Sequence, residues 1–474
     1  MPRRRRSEDL PLLENLYVED MADKGRGLAR HEGKVVFVAG AVPGDRVHAQ
    51  VLKSKSSFAE ARMTTLLAAS PDRVEPFCRH FGTCGGCKWQ HFSYEAEARF
   101  KHKHVEDALR RIGHVALPAV NPIMASPTDR YYRNKLEYSF TDRRWVEHLD
   151  KDATDLEWRG LGFHVPGRFD KVLDVQVCYH LPEPGNALRD AFRQAMLALN
   201  LPARDLRMQV GDDSPGWLRT LTLRCTRAGA WMVIIQVMYE QPDWLRALLE
   251  RVMPQFPQVE SWHYVVNAKG NDTFHDLDVH TYAGRGYILE QMEDLRFIIG
   301  PKSFFQTNAI QAEALYQVAR RMAALTGQER VYDLYTGTGT IGLYVSKQAA
   351  EVVGVEYVED AVADARRNAE LNGVGHARFF AGDMAKVLTA DFIAAQGKPD
   401  VVITDPPRAG MDPEVVARLL EARPARIVYV SCNPATQARD LALLDEAYRV
   451  TEVQPVDMFP QTDHVESVVA LELR

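Results

Sequence analysis

The chain lacks any hydrophobic run approaching the ~18–20 residues that a membrane-crossing helix needs. Behind the arginines at positions 3 to 6 come Ser7, Glu8 and Asp9 rather than an apolar segment. Neither export nor membrane insertion is expected, so the chain is read as cytoplasmic with no membrane partner. Cysteine is scarce, at six in 474 residues, which excludes a disulfide-built scaffold and points to a reducing compartment. Internal repeats and low-complexity segments are missing, which excludes solenoid and propeller arrays. With 46% hydrophobic and 26% charged residues, disorder as the main state is excluded too. At roughly 100–200 residues per domain, the length suggests about three domains.

What is present is unevenly distributed. The net charge is −6, yet residues 1 to 135 hold 23 Lys and Arg against 16 Asp and Glu, and the remainder hold 35 against 48. The front is also rich in histidine (His31, His48, His80, His91, His102, His104 and His114). A basic front on an acidic body is the charge pattern of a polyanion-binding attachment. Over 10–70, apolar and polar positions alternate between glycine- and proline-marked turns, which predicts a small barrel of short strands. Lys24, Arg26, Arg30, Lys53, Lys55 and Arg62, with Phe37 and Phe58 among them, suit such a barrel to gripping nucleic acid.

After a proline-marked linker comes a helix that Ser93 can cap, with Glu95 and Glu97 in its first turn and Arg110 and Arg111 near its end, stopped at Gly113. The pattern from about 120 to 300 is mixed, strand-like over 231–235 and helix-like over 244–253, with a charged stretch over 141–160 that reads as an exposed loop or hairpin. From about 325 the period becomes strand, turn, helix. Strands are expected over 331–335, 352–356, 378–380, 401–404 and 427–430, with helices over 357–372 and 413–422, which is a doubly wound parallel sheet. Ligands of such sheets bind outside the carboxyl ends of the strands.

After the first of these strands stands Asp333-Leu334-Tyr335-Thr336-Gly337-Thr338-Gly339, and the next strand ends in Glu356. Glycines at 337 and 339 allow close backbone approach, and an acidic side chain at 356 can accept both ribose hydroxyls of a nucleotide-like cofactor. Spacing alone fits a dinucleotide or S-adenosylmethionine equally. The fourth strand ends in Asp405-Pro406-Pro407-Arg408 and the fifth in Ser431-Cys432-Asn433-Pro434. A thiolate at Cys432 is what a uracil ring needs: addition at carbon 6 makes carbon 5 nucleophilic, and a base such as Glu466 must then remove the carbon 5 proton. Cys225, on an apolar strand, reads as an inert core residue.

Near the front, Cys78 is followed by Cys84 and then Gly85-Gly86-Cys87. Glycines let backbone wrap tightly, and two cysteines flanking two residues are a metal-binding spacing. The residues leave open zinc, with His80 or His91 as a fourth ligand, or an iron–sulfur cluster.

Together, Asp-Pro-Pro-Arg at 405 to 408, Ser-Cys-Asn-Pro at 431 to 434, His464-Val465-Glu466 and Phe304-Phe305-Gln306 resemble the RNA uracil-C5 methyltransferases. The resemblance covers nearly the whole chain. It implies a Rossmann-like S-adenosylmethionine methyltransferase domain over 301–474, a TRAM barrel of the OB type over 1–70, and a mixed α+β central domain over 71–300, the latter two binding RNA. It also implies Cys432 as nucleophile and Glu466 as base. Gln306, Tyr335, Glu356 and Asp405 match the positions that hold S-adenosylmethionine, with Asp383 near the adenine. Cys78, Cys84, Cys87 and Cys178 look like the ligands of the family's 4Fe-4S cluster. Barrel and cluster together favour the branch acting on 23S ribosomal RNA, with no obligate protein partner. The departures from the family pattern are Thr336 and Thr340, where Cys and Asn are usual. Two rivals remain at this point. One is methylation of a base nitrogen, against which Arg408 after Pro-Pro argues. The other is a non-catalytic RNA-binding assembly factor.

Overall fold

The computed structural model describes residues 10–147, 156–207 and 216–474. The arginines at 3 to 6 and residues 148–155 of the charged stretch lie outside the described residues. The chain forms two compact units, one up to Lys103 together with Phe459–His464, the other His104–Met458 with Val465–Arg474.

In the first unit, β1 (Leu12–Ala22), β2 (Arg26–His31), β3 (Lys34–Ala39), β4 (Arg46–Ser54) and β5 (Phe58–Ala68) close into a barrel of order β1-β2-β3-β5-β4. The alternation expected of barrel strands is there: Val18, Ala29, Val36, Val38, Val47, Ala49, Val51 and Ala61 point inward. The barrel is closed off by Asp45, whose buried carboxylate accepts from Val42 N (2.8 Å), Ser70 N (2.9 Å) and Arg73 Nε (3.1 Å). The expected helix is α1 (Tyr94–Ala108), and it runs on through a π turn, Leu109–Gly113.

The second unit contains two seven-stranded sheets. The central one is built from β6 (Lys135–Thr141), β7 (Gly160–Val165), β8 (Arg168–Asp174), α2 (Gly185–Ala198), β9 (Leu218–Cys225), β10 (Trp231–Val237), α3 (Pro242–Val252), β11 (Val259–Val266) and β12 (His280–Gly284), with strand order β12-β11-β10-β9-β6-β7-β8. The charged stretch ends where β7 begins, so its described flanks are the connection from β6 to β7. A hairpin of β13 (Ile288–Met292) and β14 (Leu295–Ile299) leads on to α4 (Ala309–Ala323).

Beyond α4 run β15 (Arg330–Leu334), α5 (Thr340–Val345), β16 (Glu351–Glu356), α6 (Glu359–Leu371), β17 (Ala377–Ala381), α7 (Met384–Val387), α8 (Ala390–Gln396), β18 (Val401–Thr404), α9 (Pro413–Ala422), β19 (Arg426–Ser431), α10 (Pro434–Leu444), β20 (Tyr448–Val456) and β21 (Glu466–Leu473). The order β17-β16-β15-β18-β19-β21-β20 is Rossmann-like. Its first five strands are parallel and the last two join antiparallel. Val331, Val353, Val402, Ile427 and their neighbours are buried, as expected of a parallel sheet covered on both faces. One expectation is corrected: Tyr335 is not in the first strand, because its φ of +62° is incompatible with one. Glu466 is the first residue of the final strand.

Candidate active site

The strand order reverses between β15 and β18, and the loops leaving their carboxyl ends form the crevice where such sheets bind ligands. After β15 the backbone turns at Tyr335, then passes Gly337 (φ +56°) and Gly339 (φ +80°) before α5. A Cβ at Gly337 would meet nothing within 4 Å, so that face of the turn is open to a ligand. At Gly339 a Cβ would come within 3.0 Å of Ala365 and 3.2 Å of the Phe379 ring, so there only glycine fits. Gly337 N donates to Glu356 Oε2 (3.1 Å) and Val358 N to Oε1 (3.0 Å), which fixes the carboxylate at the end of β16. Asp383 caps α7 by accepting from Ala385 N (3.0 Å). A cavity of about 430 Å³ is lined by Tyr335, Tyr357, Asp383, Gly410, Met411 and Asp412. Tyr335 and Asp383 therefore share one cavity, and Gly337 and Glu356 form one hydrogen-bonded edge. Burial pushes the Tyr335 hydroxyl up to about 12.

Asp333, beneath this turn, is 1% exposed. Its Oδ2 accepts from Thr336 Oγ1 and from Gly342 N (2.8 Å), while Oδ1 is buried without a hydrogen-bond partner. Burial pushes this carboxyl up to about 7, against the pull of those two donors. An orphaned buried oxygen under an open glycine turn is what a cofactor bearing a positive charge would satisfy.

The loops after β18 and β19 bring Asp405, Arg408 and Cys432 together with Glu466. Cys432 is half-buried, and burial followed by the fields of Glu466 and Asp405 pushes its thiol up to about 11, with Arg408 opposing. Glu466 is buried, and its carboxyl is also held above the ordinary range by burial and by Asp405, again opposed by Arg408. Asp405 is raised by burial and by Asp333. The resting site thus favours protons on sulfur and on carboxyl, and Arg408 is the cation that works against this at both Cys432 and Glu466.

Gln306 is buried on the segment before α4. Its carbonyl accepts from Asn134 Nδ2 (2.9 Å), and Asn134 N donates to Thr307 O (2.7 Å). Among the described residues no hydrogen bond joins its side chain to the Cys432 group. Several residues that sequence reasoning missed shape the site. Tyr316, 2% exposed on α4, places its hydroxyl 3.3 Å from Thr340 Oγ1 and within electrostatic reach of Asp405, Asp333 and Glu466. Asp440 on α10 accepts from Met411 N (2.8 Å) and the Tyr429 hydroxyl (2.6 Å) through one oxygen, and Arg439 donates to Ala409 O and Met411 O (3.0 Å each). Asn433 and Asp412 are helix caps whose Asn-Pro and Asp-Pro signals could have been read.

The cysteines are distributed between units: Cys78, Cys84 and Cys87 are half-buried in the first, and Cys178 is buried in the second. Burial pushes the Cys84 thiol up, the Gly86 N–H opposes, and the Cys78 charge adds to the rise. Among the described residues, no group of three or more His, Cys, Asp or Glu side chains is arranged to hold a metal ion. The 4Fe-4S cluster implied by the resemblance is thus not supported among the described residues, and no chemical step is routed through it. Cys225 is buried, its thiol pushed up to about 12, as fits a core residue. On the barrel, Phe37 and Phe58 pack edge to face at 5.8 Å, with the Arg26 guanidinium 4.7 Å over Phe37 and Lys55 Nζ 5.3 Å over Phe58. That is the interleaving of cation and ring that nucleic acid favours.

Residues 283–474 match the family model for tRNA (Uracil-5-)-methyltransferase, and residues 15–64 match that for the TRAM domain. A protein of Bacteroides thetaiotaomicron described as an uncharacterized RNA methyltransferase is 48% identical over 459 residues, spanning 96% of this chain and 100% of that protein. One of Porphyromonas gingivalis, described in the same words, is 49% identical over 465 residues, 96% of this chain and 99% of its own. Among solved structures, the Pyrococcus abyssi tRNA (uracil-54, C5)-methyltransferase in complex with S-adenosyl-L-homocysteine superimposes with a TM-score of 0.74 at 28% identity, covering 96% of this chain and 99% of that one. No helix among the described residues is long and apolar enough to cross a membrane.

Proposed function

The chain belongs to the RNA (uracil-5-)-methyltransferase family, and from that premise we propose that Cys432 and Glu466 methylate carbon 5 of a uridine in 23S ribosomal RNA through a covalent cysteine–uracil adduct. The observation that carries the reading is the grouping of a half-buried thiol, a buried carboxyl and an arginine at the open end of the sheet, beside an open glycine turn.

The target base has to leave its stack to reach Cys432. Cys432 first yields its proton to solvent; the thiolate sulfur then adds to carbon 6, and the electron pair of the 5,6 double bond moves toward carbon 5 and O4, leaving carbon 5 able to bond to a methyl group. S-adenosylmethionine, when bound, supplies the electrophilic methyl group. Tyr335, Gly337, Glu356, Asp383, Asp405 and Gln306 are the residues proposed to hold it, with the orphaned Asp333 oxygen beneath. Glu466 then takes the proton from carbon 5, the carbon–sulfur bond breaks, and the thiolate leaves as the double bond re-forms. Burial and Asp405 make Glu466 more basic than an ordinary carboxylate, and Arg408 opposes them so that the ionised form which accepts the proton stays within reach. Arg408 stabilises the negative charge on sulfur at both ends of the cycle.

Two aspects of substrate choice are part of the proposal. The TRAM barrel and the cysteine loop support a ribosomal target. Transfer RNA is the second reading, favoured by the likeness to the Pyrococcus enzyme. For the loop itself, the spacing of Cys78, Cys84 and Cys87 supports a bound metal, and iron and acid-labile sulfide analysis of anaerobically purified protein distinguishes a 4Fe-4S cluster from zinc or none.

The test is methylation of 23S ribosomal RNA and of transfer RNA transcripts with tritiated methyl donor, comparing wild type with Cys432→Ala. Label in ribosomal uridine that vanishes in the variant supports the reading. Label on a base nitrogen, or full activity of Cys432→Ala, contradicts it.

A further inference from the structure

The loops that carry Cys432 and Arg408 are joined by a residue the mechanism above leaves unused. Asn433 N donates to Ser431 Oγ (3.1 Å), and its carbonyl accepts from Thr436 Oγ1 (3.1 Å). Its side chain does two separate things. Oδ1 accepts from Ala435 N (3.1 Å) and caps α10. Nδ2 donates to the Arg408 carbonyl (2.9 Å), which Thr436 Oγ1 also reaches (3.2 Å).

Capping requires only an acceptor, so Ser, Thr or Asp would serve equally well at this position. A serine or threonine hydroxyl offers both functions only on one atom and aspartate only accepts, whereas the amide places acceptor and donor on separate atoms that serve Ala435 N and the Arg408 carbonyl at once. That donor is aimed at the backbone of Arg408, whose positive field favours the ionised forms of both Cys432 and Glu466. A long arginine side chain has many rotamers open to it. Fixing its backbone narrows where the guanidinium can go.

We propose that Asn433 is a positioning residue: its side-chain amide anchors the Arg408 carbonyl and thereby holds the Arg408 guanidinium beside Cys432 and Glu466. The proposal rests on the assignment of Cys432 as nucleophile. It accounts for both hydrogen bonds of the side chain, where a purely structural cap accounts for one.

The discriminating variant is Asn433→Ser, whose single hydroxyl keeps a neutral cap at Ala435 N and lacks the Nδ2 group that reaches the Arg408 carbonyl. It should melt within about 2 °C of wild type and bind S-adenosylhomocysteine and RNA normally, because the cap is preserved. Alkylation of Cys432 by iodoacetamide, read on the Cys432 peptide by mass spectrometry, should need higher pH. A midpoint moved up by half a pKa unit lowers the rate below that midpoint about threefold. The rate of adduct formation with RNA should fall by the same factor. Thr436→Val, which removes the second donor to the Arg408 carbonyl, should shift the profile in the same direction by less, and serves if Asn433→Ser fails to fold. Alkylation profiles of both variants that superimpose on the wild-type profile would overturn the proposal. Failure of the underlying mechanism looks different: wild type would form no RNA adduct through Cys432, while the alkylation profile of Asn433→Ser still moved.

Discussion

Asp440 gives the sharpest test of how the proposed cofactor cavity is supported. Its carboxylate is buried and accepts from Met411 N at 2.8 Å, from the buried Tyr429 hydroxyl at 2.6 Å, and from Arg439 at 2.7 Å. Asp440→Ala strands the first two donors, and an orphaned buried donor costs about 1–3 kcal/mol. Arg439 is roughly half exposed, so water replaces its lost partner and it adds little. The expected loss is therefore about 2–6 kcal/mol, or roughly 4–24 °C in melting temperature at about 2–4 °C per kcal/mol. The effect should extend to binding, because Gly410, Met411 and Asp412 line the cavity and Arg439 braces the same loop through Ala409 O and Met411 O. Calorimetric titration with S-adenosylhomocysteine should show at least about tenfold weaker binding, equivalent to 1.4 kcal/mol. Asp440→Asn keeps one acceptor for Tyr429 and should fall between. A melting temperature within about 2 °C of wild type, with unchanged affinity, would refute the claim that this carboxylate holds the loop.

Gly339→Ala should weaken cofactor binding at least about tenfold, measured by the same titration, since it combines a φ of +80° with a 3.0 Å approach to Ala365. The Asp333 carboxyl, held up to about 7 by burial, binds protons more tightly folded than unfolded. It therefore destabilises the fold as pH rises from about 4 through 7, and the slope is flat above and below. Melting of the cofactor-free enzyme should accordingly fall across that window, and Asp333→Asn should flatten the curve there. In the barrel unit, Asp45→Ala leaves Arg73, Val42 N and Ser70 N without their acceptor. A loss of about 3–5 kcal/mol is expected, read as faster hydrogen exchange in the barrel strands with exchange at β15 and β18 unchanged.

The parallel strands were legible because their Val and Ile runs are buried on both faces, and the barrel because its strands alternate. Tyr335 misled because hydrophobicity says nothing of a positive φ: an apolar residue after Leu334 reads as one more strand position. The strand β20 escaped notice for a related reason. It carries Arg449, Glu452 and Pro455, a composition permitted because it lies at the sheet edge. Cys432, Asp405 and Glu466 were visible as motifs, and the structure brings them within each other's fields. Asp440 and Tyr316 were not, because what matters about them is partners 11 to 29 positions away and 24 positions away respectively. The cysteine loop is the converse case, clear as a spacing yet not assembled into a ligand group among the described residues.

Incubating Glu466→Gln with substrate RNA and S-adenosylmethionine, then measuring the intact mass under denaturing conditions, tests the chemistry most directly. Without the base, the methylated ring keeps its carbon 5 proton and cannot release the sulfur. A species with the mass of protein plus methylated RNA should accumulate, map to the Cys432 peptide, and disappear in Cys432→Ala/Glu466→Gln. Normal turnover by Glu466→Gln with no such species would contradict the account.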